Sequence, residues 1–304
     1  MSWQSADEPE IKAAPPCKAL ELVLAPKARD IGGFEVRRLL PALERRSVGP
    51  FVFFDQMGPA ELAPGRGIDV RPHPHIGLAT VTYLFAGSIV HRDSLGTVQT
   101  IEPGAVNWMT AGRGIAHSER SDVELRKGRQ QLYGIQIWVA LPRQFEEVEP
   151  AFNHYAADSL PLIEGEGKII RVIAGSIFGK QSPVQTYSRL FYADASVQAG
   201  ASLAFQNVHD ERAIYLLEGI VEIAGQRFEP GRLLIFSPGD EILVKAISSL
   251  RILLFGGEPL DGPRHLWWNF VSSSRERIEQ AKADWRARRF TAVPGDDESI
   301  PLPD

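Results

Sequence analysis

The chain has 304 residues with 44% apolar and 23% charged side chains, enough hydrophobic material for full cores, so a folded, globular protein is expected rather than a disordered one. Its net charge of −5, from 33 basic and 38 acidic residues, repels phosphate backbones, and direct nucleic-acid binding is not expected. A single cysteine, Cys17, cannot form an internal disulfide and is a poor nucleophile candidate beside Pro15 and Pro16. The start of the chain lacks a signal-type apolar core, and no apolar run reaches the roughly 20 residues that span a bilayer. The expectations are a soluble, cytoplasmic, monomeric protein with no membrane role.

Glycine (27) and proline (22) punctuate short apolar or alternating segments, which is the pattern of an all-β chain. In chain order the spacing predicts strands at Leu20–Leu24, Phe34–Leu40, Phe51–Phe54, Thr80–Phe85, Ala105–Met109 and Tyr133–Ala140. A proline-rich, acidic stretch, Leu141–Pro150 followed by Asn153–Leu160, interrupts them, and a second set begins at Lys168–Ala174. The expected division is residues 1–145 for an N-terminal metal-binding barrel and residues 146–304 for a metal-free barrel with the C-terminal helix and tail.

The two halves repeat. Thr82-Tyr83-Leu84-Phe85-Ala86-Gly87, followed later by Glu102-Pro103-Gly104, is echoed by Ile214-Tyr215-Leu216-Leu217-Glu218-Gly219 and Glu229-Pro230-Gly231. A strand ending in glycine, a hairpin and a Pro-Gly turn form the rhythm of a small antiparallel jelly roll, so two tandem cupin barrels, a bicupin, are expected. Beyond residue 260, Ser273 with Glu276 reads as a capping box, and Ile278, Ala281 and Trp285 share one face of a helix running to about Arg289. That stripe is expected to cover a barrel, with an extended tail from Pro294 to Pro303.

The chemistry concentrates in two pairs. In Arg71-Pro72-His73-Pro74-His75, extended backbone puts both imidazoles on one face, because strand side chains alternate with period two. His117 and Glu119 repeat that spacing. If the segments lie on neighbouring strands, three nitrogens and one carboxylate converge on one divalent ion. The donor set suits Fe(II), Mn(II), Ni(II), Zn(II) or Cu(II), and the absence of thiolates argues against a cysteine-type structural zinc site. His91 is expected to make a structural hydrogen bond to Asp93 or backbone, while His154, His209 and His265 read as loop or surface residues. Arg113, between Gly112 and Gly114, reads as a loop salt-bridge partner. In the second repeat Phe205 and Asn207 stand where a histidine pair would be needed.

The stretch from His73-Pro74-His75-Ile76-Gly77-Leu78-Ala79-Thr80 through Trp108-Met109-Thr110-Ala111-Gly112-Arg113-Gly114-Ile115-Ala116-His117-Ser118-Glu119 closely resembles the pirin signature. The resemblance continues at Gln136-Ile137-Trp138-Val139, Ser237-Pro238-Gly239-Asp240, Gly256-Gly257-Glu258-Pro259 and Trp268-Asn269-Phe270-Val271, and covers nearly the whole chain from residue 20. It implies a bicupin whose N-terminal barrel holds one metal ion, commonly iron, through residues matching His73, His75, His117 and Glu119. The general cupin pattern has a further glutamate where Ala79 stands, which leaves Glu119 as the sole carboxylate ligand.

The resemblance implies two functions. One is dioxygenation of a flavonol such as quercetin across its 2,3-bond, with carbon monoxide as product; in that reading Glu119 is the catalytic base, and Trp108 with Met109, or Phe53 with Phe54, are candidate apolar walls, with ordinary core packing the stronger expectation for each. The other is a metal- or redox-dependent regulator that binds a protein partner. A seed-storage bicupin is disfavoured, since storage needs no intact ligand set.

Overall fold

The computed structural model describes residues 19–30, 34–43, 45–239 and 241–303; Cys17 lies outside them. Two antiparallel jelly rolls account for nearly all the strands. In the first, a large sheet runs in the order 151–155, 106–110, 78–86, 130–140, 51–62, 35–40, 27–30, and a smaller one in the order 69–75, 115–120, 89–93, 98–101. The second repeats this plan: its small sheet has the order 202–205, 242–246, 221–223, 226–228. The chain is therefore an all-β bicupin with one C-terminal helix, as the sequence predicts.

The repeat is visible atom by atom. Gly104 N donates to Leu84 O over 2.9 Å, and Gly231 N donates to Leu216 O over 2.8 Å. Gly87 and Gly219 close the corresponding hairpins at φ +80° and +81°, and a Cβ would stand 2.0 Å from Gln131 O and 2.1 Å from Ser249 O respectively. Only glycine satisfies both the left-handed backbone and the close approach there.

The expected strands are all present, several of them longer than the apolar run that marks them. Phe51–Phe54 begins a strand that continues to Leu62, and Thr80–Phe85 is the interior of Leu78–Ala86. Buried strands alternate between two cores here, so neighbouring residues serve different ones. Phe53 and Trp138 face into the first barrel and stack at 4.0 Å between centroids. Phe54 and Ile137 face the second barrel, where Phe54 packs against Tyr215 and Phe255 at 5.1 and 5.3 Å. That shared core joins the barrels, with Tyr83 Oη donating to Asp194 Oδ2 at 2.9 Å as a polar tie.

Strand pairing crosses the division expected at residue 145. Leu20–Leu24 pairs with Leu233–Phe236 of the second barrel, while Ala151–Tyr155 pairs with Val106–Thr110 of the first. The C-terminal segment also returns to the first barrel, where Ile278 and Ala281 of the helix bury against Ile76, Trp268 and Phe270. The helix spans Arg275–Arg286 and thus stops short of Arg289. Its cap is Ser274, whose Oγ accepts from Arg277 N at 3.2 Å and donates to Glu276 at 2.8 Å. Ser273 instead donates to Glu146, which also pairs with the nearly buried Arg264. A register shift of one residue from the expected cap follows from this competing carboxylate.

No helix among the described residues is long and apolar enough to cross a membrane.

Candidate metal centre

The small sheet of the first barrel carries the site. The Asp69–His75 and Ile115–Arg120 strands pair antiparallel with His73 opposite His117 and His75 opposite Ile115. Both strands obey the period-two rule, so the three imidazoles enter the barrel together. A register shift falls between His117 and Glu119, placing Glu119 opposite Val70. Pro72 and Pro74 are tolerated because proline has no amide to give the ladder at such irregular or edge positions.

The candidate nitrogens of His73, His75 and His117 lie within 4.8 Å of one another, and all three rings are buried. Burial holds each imidazole well below the ordinary histidine pKa, and neighbouring imidazoles add to this for His117, so all three are neutral at physiological pH. Neutral imidazole is the ligating form.

Their hydrogen-bond partners fix which nitrogen carries the hydrogen. His73 Nδ1 faces Arg71 O at 2.9 Å and His75 Nδ1 faces Asn269 O at 3.1 Å; a carbonyl only accepts, so both Nδ1 atoms donate. Each ring then has a bare lone pair on Nε2. His73 Nε2 is buried with no hydrogen-bond partner among the described residues. His75 Nε2 and His117 Nε2 face each other at 3.1 Å. Two cis ligands with bonds of about 2.1 Å lie about 3.0 Å apart, so this spacing fits a shared cation. The orphaned nitrogen and the facing pair are the features a divalent ion would satisfy, and the three histidines form a site that could hold one.

Glu119 is buried beside this cluster but is not among the donors that fall within 4.8 Å of one another. Its Oε1 accepts from Gln136 Nε2 at 2.5 Å and from Thr82 Oγ1 at 3.5 Å. Gln136, Thr82 and Trp138 come from the opposite sheet and Asn269 from the turn of the separate C-terminal hairpin, and sequence reasoning missed all four. Of the candidate walls, Phe53 and Met109 belong to the first barrel's interior cluster, whereas Phe54 and Trp108 belong to the core between the barrels. The inward aromatic nearest the ligands is Trp138, 5.2 Å from the His75 ring.

His91 makes the expected bond, Nε2 to Asp93 Oδ2 at 2.9 Å, and its Nδ1 also faces His117 Nδ1 at 3.3 Å. The spacing His91-Arg92-Asp93 is the same i, i+2 signal as the ligand pairs and could have flagged this contact. Arg113 pairs with Glu149 at the surface, 2.7 Å apart. His154 is an exposed strand residue whose ring faces Asn107 Oδ1 at 2.7 Å. In the second barrel Phe205 is buried against Phe191 and Phe236, so aromatic packing fills the place where ligands stand in the first.

Comparison with known proteins agrees with this architecture. The family model described as Pirin matches residues 33–139, and that described as Pirin C-terminal cupin domain matches residues 192–291. A pirin-like protein of Caulobacter vibrioides is 48% identical over 94% of this chain and 100% of its own length. A Pseudomonas aeruginosa protein with a provisional quercetin 2,3-dioxygenase name is 39% identical, covering 93% of this chain and 90% of its own. The crystal structure of a quercetin 2,3-dioxygenase from Acinetobacter baumannii superposes with a TM-score of 0.86 at 31% identity, over 93% of this chain and 94% of that one.

Proposed function

The chain belongs to the pirin family, and from that premise we propose that it is a mononuclear metal protein that dioxygenates flavonols such as quercetin. The observation that carries the reading is the trio of buried, neutral imidazoles, with bare Nε2 atoms on His73 and His75 and His117 Nε2 3.1 Å from His75 Nε2, a set of donors suited to an ion that keeps open positions. Likeness to the Acinetobacter baumannii quercetin 2,3-dioxygenase supports the reaction class.

In this reading His73, His75, His117 and Glu119 hold one divalent ion, iron(II) first, with zinc, manganese, nickel and copper compatible with the same donors. When bound, the metal supplies a Lewis acid that holds the substrate oxygen and an open position for dioxygen. Glu119 accepts the flavonol 3-hydroxyl proton through its carboxylate, while Gln136 and Thr82 fix that carboxylate through Oε1. Phe53, Met109 and Trp138 provide apolar surface inside the barrel and exclude water. Both atoms of dioxygen enter the products, the central ring opens, and carbon monoxide leaves.

The test is oxygen uptake and carbon monoxide release by iron-loaded protein supplied with quercetin. Matched consumption of oxygen and release of carbon monoxide is the expected result; stoichiometric iron with no oxygen uptake on any flavonol overturns the enzyme reading. That outcome would favour the second reading, a metal-dependent regulator of a protein partner.

A further inference from the structure

Behind His117 stands a second imidazole and then a carboxylate, all buried on the same small sheet. Strand pairing places His117 opposite Asp93 and Glu119 opposite His91, so the three side chains meet without any loop between them. The His91 ring is stacked on Phe152 at 4.3 Å and 23°, which fixes its plane.

Asp93 offers different oxygens to different partners. Its Oδ1 accepts from the backbone N–H groups of Leu95 and Thr97, at 2.9 and 3.1 Å, and its Oδ2 faces His91 Nε2 at 2.9 Å. A carboxylate only accepts, so His91 carries hydrogen on Nε2. With its one hydrogen on Nε2, an uncharged His91 ring presents a bare Nδ1 to His117 Nδ1, 3.3 Å away, and that pairing requires the hydrogen on His117 Nδ1. With hydrogen on Nδ1, His117 has a bare Nε2, and that atom faces His75 Nε2.

We propose that Asp93 and His91 are positioning residues for the metal centre: the relay Asp93–His91–His117 forces the His117 hydrogen away from the site and keeps its Nε2 lone pair available for the ion. Carbonyl oxygens do this directly for His73 and His75; among the described residues His117 has no such carbonyl partner and receives the same instruction through an intervening imidazole. The inference rests on the metal reading of the histidine cluster and is independent of the flavonol reaction.

The isosteric change Asp93→Asn inverts the relay. Two backbone donors at Oδ1 hold the amide oxygen on that side, so the new –NH2 faces His91 Nε2 and donates. His91 must then carry hydrogen on Nδ1, and His117 is driven to the tautomer with hydrogen on Nε2, inside the metal site. Zinc titration of chelator-stripped protein should show affinity about 10- to 100-fold weaker in Asp93→Asn than in the wild type. The wild type provides a reading that needs no variant: nitrogen-15 NMR of the zinc-loaded protein should show His91 with hydrogen on Nε2 only. Unchanged zinc affinity in a folded Asp93→Asn variant, or hydrogen on His91 Nδ1 in the wild type, overturns the relay. A wild-type chain that takes up no divalent ion overturns the metal reading and the relay with it.

Discussion

Gln136 donates from Nε2 to Glu119 Oε1 over 2.5 Å, across the interior of the first barrel from one sheet to the other. The proposed base is therefore held by a strand that contributes no ligand. Replacing Gln136 with Leu should leave metal occupancy by the three histidines near that of the wild type while lowering kcat about 10- to 100-fold. Elemental analysis beside steady-state oxygen uptake separates the two effects.

Glu119→Ala is the complementary change. If Glu119 is the fourth donor, this variant should bind the divalent ion much more weakly and lose turnover, and full metal content after dialysis would show that the histidines alone form the site.

Part of this centre was legible in the sequence and part was not. The pairs His73/His75 and His117/Glu119 could be read because period-two alternation converts a spacing into a shared face. Gln136, Trp138 and Asn269 could not, since they reach the site through strand pairing and a C-terminal return that no local pattern encodes. Likewise Leu20–Leu24 reads as a strand from its own apolar run, while its partner, Leu233–Phe236 of the other barrel, is encoded in no local pattern. The helix was legible from its apolar stripe, but its cap moved to Ser274 because Glu146 engages Ser273.

The metal-free protein should lose stability in mild acid. His73, His75 and His117 have folded-state pKa values well below the ordinary 6.5 because burial disfavours their charged forms. Above that value both folded and unfolded states are neutral and these groups contribute nothing. As pH falls through about 6.5 the unfolded chain binds protons that the folded chain does not, so each group removes up to about 1.4 kcal/mol per pH unit until its folded pKa is reached. Urea denaturation at pH 7.5 and 5.5 checks this: the midpoint should drop, and equal midpoints would contradict the burial assigned here.

Arg38 and Asp55 form a bidentate pair, at 2.8 and 2.7 Å, with side chains 1% and 0% exposed. Arg38→Met leaves a buried carboxylate without its guanidinium and should cost about 3–5 kcal/mol, whereas Arg38→Met with Asp55→Leu should cost less than the single change. A double-mutant cycle by denaturant unfolding measures the coupling.

At the repeated hairpins, Gly87→Ala and Gly219→Ala force a methyl against a carbonyl oxygen as well as a strained φ, and each should destabilise by more than about 1 kcal/mol. Gly225, at φ +80° with open space around its virtual Cβ, carries only the conformational term and should be milder. Thermal unfolding of the three variants ranks them.

The convergence of bare Nε2 atoms from His73, His75 and His117 is tested most directly by a crystal structure of the metal-loaded protein with anomalous scattering at the metal edge. The account predicts one peak per chain, about 2.0–2.2 Å from all three Nε2 atoms, with a Glu119 oxygen as fourth protein ligand. A fully loaded protein whose peak lies elsewhere, or is bound through Nδ1, would contradict it.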